Sequence, residues 1–365
     1  MKKILFILFL TASAAAFGST TLPVGGLVVS PADSNIQYIG RLSFRNPQRP
    51  MFNWPGVEIR SRFTGTSLKM IAKPKSGYFV CRIDHAEPFK VAFNSERDSV
   101  VSLATALRDT VHSVRIVYAI EGMSSKRHAE FHGFVLDDGH SLVAPEPLPD
   151  RRIEFIGNSI TCGYGIESTR GTDKYEDETE NHDLTYAAQT SRRLNAVHTA
   201  VARSGIGVYR NYNGPKTGNK DVMATEYGNT VFGDSTEHWD FSRWTPQVVC
   251  INLGTNDFST HNYDADLYKA AYRKFLQTVR SHYPSAKIVM LCGPMLHEKE
   301  EALQWTVLVA LMSEFAKQGD NDIHPFSFSR QTGELGYGAS YHPSYRQHTR
   351  MADELTPFLQ KLMGW

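Results

Sequence analysis

The hydrophobic pattern of this chain changes period once, at a proline-rich joint, and that change limits the possible folds more than any other feature. Before the joint, apolar residues come in short runs separated by turn residues, at 36–39, 57–63, 67–71, 78–83, 89–93, 111–119 and 130–135. Stretches 57–63 and 112–118 alternate apolar and polar side chains, the period-two signature of a strand with one wet face. Gly56, Gly65, Gly77 and Gly122 punctuate the runs, and no helical stripe interrupts them. Residues 22–147 are therefore expected to form a β-sandwich, a jelly roll. Pro145, Pro147, Pro149 and Asp150 form the joint, because proline blocks ladder pairing and stiffens linkers. Beyond it, apolar strand-like runs (153–156, 196–202, 246–253, 287–291) alternate with helical stretches (185–194, 266–283, 300–317, 349–362). Leu267, Ala271, Phe275 and Val279 recur at helical spacing, so that helix should lay one face on the sheet. Alternation of this kind predicts a parallel sheet covered on both faces, a three-layer α/β/α domain over 151–365.

A chain of 365 residues has room for two such domains. Its net charge of +1 and the lack of basic runs interleaved with aromatics argue against nucleic-acid or membrane-surface partners. Met1-Lys2-Lys3, the apolar run 4–10 and the small residues up to Gly18 read as a secretory signal over 1–18, too short to span a bilayer. A retained anchor is the alternative. The expected protein is secreted or periplasmic, with no membrane attachment once the signal is cleaved. Cys81, Cys162, Cys250 and Cys292 show no paired spacing, which leaves a disulfide open, and no His/Cys spacing suggests zinc. The acid-dense stretch 166–183 reads as a solvated loop rather than a metal site. Trp54, in Asn53-Trp54-Pro55-Gly56, is either a packing plug or an aromatic offered to a sugar.

The chemistry gathers at the ends of the expected parallel strands. Ser159 follows the run 153–156 in a turn flanked by Gly157 and Gly163, and it could be a helix cap or a nucleophile. Gly205 offers a backbone N–H free of side-chain obstruction, and Asn256 offers a side-chain amide. Donors of this kind stabilise the oxyanion formed when a serine attacks an ester. A serine hydroxyl needs a base, and His342, ahead of the last helix, is the natural candidate, with a plain helix-start residue as the alternative. His348 reads as surface or capping.

Gly157-Asn158-Ser159, Ser204-Gly205, Gly254-Thr255-Asn256-Asp257 and His342-Pro343 resemble the four ordered blocks of the SGNH (GDSL-type) hydrolases. The resemblance implies Ser159 as nucleophile and His342 as general base. It implies the Ser159 N–H, the Gly205 N–H (Gly207 if the block slips) and the Asn256 amide as the oxyanion hole. Gly157 to Gly165, Ala202 to Gly207 and the approach Trp239-Asp240-Phe241-Ser242 are similar, more narrowly, to the second family of carbohydrate esterases. That family joins a jelly roll to an SGNH domain and removes O-acetyl groups from xylan and glucomannan. The implied protein is a secreted serine esterase with an acetylated polysaccharide or oligosaccharide as partner and no cofactor. A lipid or thioester hydrolase of the same fold, or a weakly catalytic carbohydrate-binding protein, are the rival readings. Two positions depart from the SGNH pattern: Asn158 replaces an aspartate, and Ala339 stands where the acid partner of the histidine belongs. The resemblance implies a Ser–His dyad with a backbone carbonyl on Nδ1; an acid from elsewhere, such as Asp257, is the alternative, and Glu334 is the sole acid within ten residues upstream. Tyr164, Phe258 and Tyr345, next to the blocks, are the expected sugar-stacking rings, and Asp257 is a further substrate contact. Trp239 and Trp305 are expected to pack in the core, and Tyr263 is a weaker ring candidate.

Overall fold

The computed structural model describes residues 25–97, 99–122 and 127–365; the expected signal segment lies outside them. The first part is two packed antiparallel sheets. One runs β1 (Leu27–Val29), β10 (Ala129–Leu136), β5 (Leu68–Ala72), β8 (Val100–Ala104), with β3 (Met51–Phe52) beside β10. The other runs β11 (Leu142–Val143), β4 (Glu58–Gly65), β9 (Thr110–Tyr118), β6 (Gly77–Ile83), β7 (Phe89–Phe93), with β2 (Gln37–Ile39) beside β4. Alternate residues of both sheets meet in one core that includes Ile59, Phe63, Phe79, Ile116, Phe131 and Phe134. β1, β3, β8 and β11 escaped the sequence pattern because they are two to five residues long and lie beside, or at the ends of, the sheet paths.

The second part is a parallel sheet in the order β13 (Ala196–Ala202), β12 (Arg151–Gly157), β14 (Val248–Asn252), β15 (Lys287–Cys292), β16 (Ile323–Ser327). β16 carries Pro325 and is an edge strand, the position a proline tolerates. Along β12, Ile153 and Phe155 pack on one face and Ile156 on the other. The first face is covered by α2 (Tyr186–Arg193) and α6 (Tyr345–Met363), the second by α4 (Ala265–His282) and α5 (Glu298–Ala316). Short helices α1 (Ser159–Cys162) and α3 (Met223–Glu226) complete the set. α4 is rotated from its expected face: Tyr268, Tyr272, Phe275, Leu276 and Val279 are buried, whereas Leu267 is 41% exposed.

The two parts share polar and apolar contacts. Trp54 is a plug: it is fully buried, donates from Nε1 to the Thr230 carbonyl at 3.1 Å, and belongs to the core of the second part. Arg41 reaches the buried Glu154 of β12 at 3.7 Å. The four cysteines are buried free thiols. Among the described residues no helix is long and apolar enough to cross a membrane.

Candidate active site

Three strands end in one row, since Gly157 of β12 lies opposite Ala202 of β13 and Asn252 of β14. Ser159, Gly205 and Asn256 follow these ends, so all three lie on loops at the carboxyl end of the sheet where the strand order reverses, the usual ligand side of such sheets. The turn into α1 is tight: a Cβ on Gly157 would lie 2.1 Å from Thr161 Oγ1, so only glycine fits. Asn158 caps α1, its Oδ1 accepting from the Ile160 N–H at 3.1 Å, a task its amide performs without charge.

His342 Nε2 lies 2.9 Å from Ser159 Oγ. Its Nδ1 faces the carbonyls of Ala339 at 3.1 Å and Ser340 at 3.3 Å. Both can only accept, so Nδ1 carries the proton and Nε2 is the free base turned to the hydroxyl. Burial pushes the imidazole pKa down to about 4, against the two carbonyls that favour the charged form. Among the described residues no carboxylate is bonded to the ring: Glu334 is paired with Arg350 at 2.6 Å, and Asp257 is engaged elsewhere.

The loop bearing His342 is strained and strapped. Ser340 and Tyr341 adopt left-handed φ of +50° and +59°, a conformation that costs a non-glycine residue about 1–3 kcal/mol and persists only when its surroundings hold it. Here the stretch 166–183 and the preceding Gly165 do so: Gly165 O accepts from Ala339 N at 3.0 Å, Gly171 O from Tyr341 N at 2.9 Å, and Asp173 O from Ser340 N at 2.9 Å. A Cβ on Gly165 would lie 2.3 Å from Ala339 Cβ, so the strap and the loop are in close contact.

Residues 167–179 of that stretch are exposed or half-buried, as its charge density suggested, but its end is not. Its last residues, Glu180 to Asp183, are buried, because Asp183 is bridged by Arg115 and Arg192 at 3.0 and 2.9 Å and His182 bonds the Thr161 carbonyl and His198. Glu121, from the segment after β9, accepts the Ser204 N–H at 2.8 Å and stands 3.6 Å from Arg203 Nε. One oxygen each of Glu121 and Glu180 lies with Cys162 Sγ within 4.8 Å, the one group among the described residues with metal-ligand spacing. Burial and the neighbouring Glu121 carry the Glu180 pKa well up. Arg203 already supplies the cation there.

The donor set is as follows. Asn256 Nδ2 gives one hydrogen to the Ile206 carbonyl at 2.8 Å and keeps a second. Gly205, at φ +77°, has open space where a Cβ would stand, and its N–H has no hydrogen-bond partner among the described residues. Gly207 is excluded from that role, because its N–H donates to Asn211 Oδ1 at 3.1 Å.

Several expected substrate contacts are not available. Asp257 is fully buried, with its carboxylate accepting from the N–H groups of Val208, Tyr209 and Arg210 at 2.9–3.1 Å, and burial raises its pKa to about 6. It shapes the 208–210 turn and touches neither substrate space nor His342. Phe258 is 2% exposed, edge-on to Tyr263 and Tyr268 in the core. Tyr164 stacks between two rings, His342 at 4.1 Å and Tyr175 at 4.4 Å, so both faces are covered and none is left for a sugar. Tyr345 is 48% exposed at the start of α6. Trp239 is buried as expected, whereas Trp305 is 38% exposed on α5. His348 is buried rather than at the surface, and its Nδ1 caps α2 by accepting the Tyr186 N–H at 3.2 Å. Sequence reasoning missed Tyr175, the sole aromatic ring besides histidine in 166–183, whose hydroxyl donates to Glu180. It also missed Tyr212, 62% exposed, whose N–H donates to the Gly205 carbonyl at 2.8 Å.

The parallel sheet with helices on both faces, preceded by an antiparallel β-rich part, is the fold of the SGNH, or GDSL-type, ester hydrolases. Residues 155–350 match the GDSL-like lipase/acylhydrolase family, and residues 38–146 match the amino-terminal domain of carbohydrate esterase 2. A family two carbohydrate esterase from Clostridium thermocellum, solved in complex with cellohexaose, superposes with a TM-score of 0.83 at 34% identity, covering 90% of this chain and 99% of that one. A family two carbohydrate esterase from Cellvibrio japonicus superposes with a TM-score of 0.82 at 26% identity, over 93% of this chain and 98% of that one. Among curated proteins, the cellulase/esterase CelE of Acetivibrio thermocellus is 35% identical over 92% of this chain, which spans only 41% of CelE. An acetylxylan esterase / glucomannan deacetylase of Cellvibrio japonicus is 28% identical over the whole of both chains. The chain belongs to carbohydrate esterase family 2 and is a carboxylic ester hydrolase.

Proposed function

We propose that this protein is a secreted serine esterase that removes O-acetyl groups from plant-wall polysaccharides of the xylan or glucomannan type, through an acyl-enzyme. The observation that carries the reading is the contact between Ser159 Oγ and His342 Nε2, 2.9 Å, with backbone carbonyls on the far nitrogen. In this mechanism Nε2 takes the hydroxyl proton as Oγ attacks the acetyl carbonyl. The Ser159 and Gly205 N–H groups and the Asn256 amide hold the oxyanion, in a site where each donor is worth on the order of 2.7–4 kcal/mol. As the bond from the acetyl carbon to the sugar oxygen breaks, the imidazolium gives its proton to that oxygen, which leaves as the sugar hydroxyl. Water, deprotonated by the same nitrogen, then attacks the acetyl-serine and releases acetate, restoring Ser159. The carbonyls of Ala339 and Ser340 do the orienting that a carboxylate does elsewhere.

For the sugar we favour the exposed rings Tyr212, tied to Gly205, and Tyr341, 55% exposed next to His342. A cavity of about 310 Å³ lies beside Tyr341, lined also by Met295, His297 and Arg330 at the carboxyl ends of β15 and β16. The domain limits we adopt are 1–18 for a cleaved signal, 22–147 for the sandwich and 151–365 for the hydrolase. Acetate release from acetylated xylan and glucomannan by the protein and by Ser159→Ala tests the mechanism. Loss in the variant is expected, and undiminished release would sink it.

A further inference from the structure

Across the second sheet of the sandwich, Arg60 of β4 lies directly opposite Arg115 of β9, and Arg115 directly opposite Arg82 of β6. Like charges in direct cross-strand register destabilise a sheet, so a row of three arginines needs a reason. Two gaps in this row are closed by carboxylates of the chain itself. Glu58 pairs with both Arg60 and Arg115. Asp183 of the strap bridges Arg115 at 3.0 Å to Arg192 of α2 at 2.9 Å, which continues the row onto the hydrolase domain. The sequence along the row is thus arginine, carboxylate, arginine, carboxylate, arginine. Arg82 breaks it. It has no ion pair or hydrogen bond among the described residues, and its Nε is buried without a partner. The nearby Asp84 is taken by His112 at 2.7 Å and the Ser113 N–H at 2.7 Å.

Arg82 also faces open space. It lines two cavities of about 250 and 180 Å³ that share Arg60, Arg82 and Arg115, one opening toward Arg62 and Pro145, the other toward Ala188 and Val197. The second lies at the amino end of β13, the opposite end of that strand from Gly205, so the groove is separate from the active-site crevice.

We propose that this groove binds an external carboxylate, which completes the alternation at Arg82, and that the carboxylate is carried by an acidic sugar, a uronate, of the glycan. The flat guanidinium fork matches a planar carboxylate, and the chain's own Glu58 and Asp183 occupy the equivalent gaps. The two small cavities suit a single sugar unit rather than a long stretch of chain. The choice of a sugar as carrier rests on the proposed action on polysaccharides; the carboxylate site does not.

Calorimetry on the whole protein tests this with D-glucuronate, a glucuronate-substituted xylo-oligosaccharide, its neutral counterpart, acetate and inorganic phosphate as probes. The substituted oligosaccharide should bind at least about tenfold tighter than the neutral one, the scale of one charge-assisted hydrogen bond. That preference should shrink with added salt, vanish in Arg82→Gln and weaken in Arg82→Lys. Both variants should turn over a small acetyl ester as the parent does. Equal binding of charged and neutral oligosaccharides, a preference that survives Arg82→Gln, or phosphate or acetate competing as well as glucuronate would each overturn the proposal. If Arg82→Gln fails to fold, Arg82→Lys and the competition series on the parent decide. Lack of acetate release from any acetylated glycan would strike the esterase reading alone.

Discussion

Removing the Tyr164 ring should move the pH dependence of the reaction more than its rate at alkaline pH. Tyr164 covers one face of His342 at a centroid distance of 4.1 Å and is itself backed by Tyr175. Burial lowers the His342 pKa from 6.5 to about 4. Only the neutral imidazole can accept the Ser159 proton, so kcat/KM falls as pH drops through that value. With Tyr164→Ala, water reaches the ring and the pKa moves back toward 6.5. At pH 5 the neutral fraction would then fall from about 0.9 to about 0.03, roughly a thirtyfold loss, while at pH 8 both forms are neutral and the effect of titration disappears. The assay is kcat/KM on a small acetyl ester from about pH 4 to about pH 8, read as the ratio of the two ends so that any uniform loss cancels. A wild-type acid limb near 6.5, or a variant limb that coincides with the wild type, would refute the reasoning.

Asn256→Ala should lower kcat by about 10²–10³ with little change in KM, the effect of one missing oxyanion donor, in steady-state kinetics on the same ester. Gly165→Ala places a methyl 2.3 Å from Ala339 Cβ and should displace the His342 loop, lowering kcat at constant pH limbs while the far-ultraviolet circular dichroism stays native. Asp257→Ala strips the acceptor from the N–H groups of Val208, Tyr209 and Arg210, at about 1–3 kcal/mol for each buried group left unsatisfied, and urea melts should show the loss. Burial also depresses His182 to about 4 and His348 to about 3. Each is neutral in the fold but protonates in the unfolded chain below 6.5, so stability should drop as pH falls from 6.5 toward 4, by on the order of 3 kcal/mol per histidine, in calorimetric melts against pH.

Long periodic elements were legible in the sequence: β4, β9 and the long helices α4 to α6 stand within a few residues of their expected limits, because burial of one face dictates them. So was the pairing of Ser159 with His342 across 183 positions, since each sits in a block beside a strand end or helix start. What could not be read was which polar residues are inside. Asp257 and Glu180 look like surface acids in a linear pattern, yet backbone N–H groups hold one and a tyrosine hydroxyl the other. Tyr164 was visible as an aromatic near the nucleophile, but that both its faces are occupied follows from residues 11 and 178 positions away. Local composition carries no information about such partners.

Trp54 sits in the core of the hydrolase sheet although it comes from the sandwich, and Glu121, also from that side, holds the N–H next to Gly205. Shortening the gene to the hydrolase half would leave a void the size of an indole and an unanchored Ser204–Gly205 loop. Burying an aromatic of this kind is worth about 3–5 kcal/mol, a large part of the stability of an ordinary domain. The sandwich is therefore not a cartridge that can be exchanged for another binding module. Any engineered fusion has to be made at the ends of the pair, and the two halves should melt as one transition.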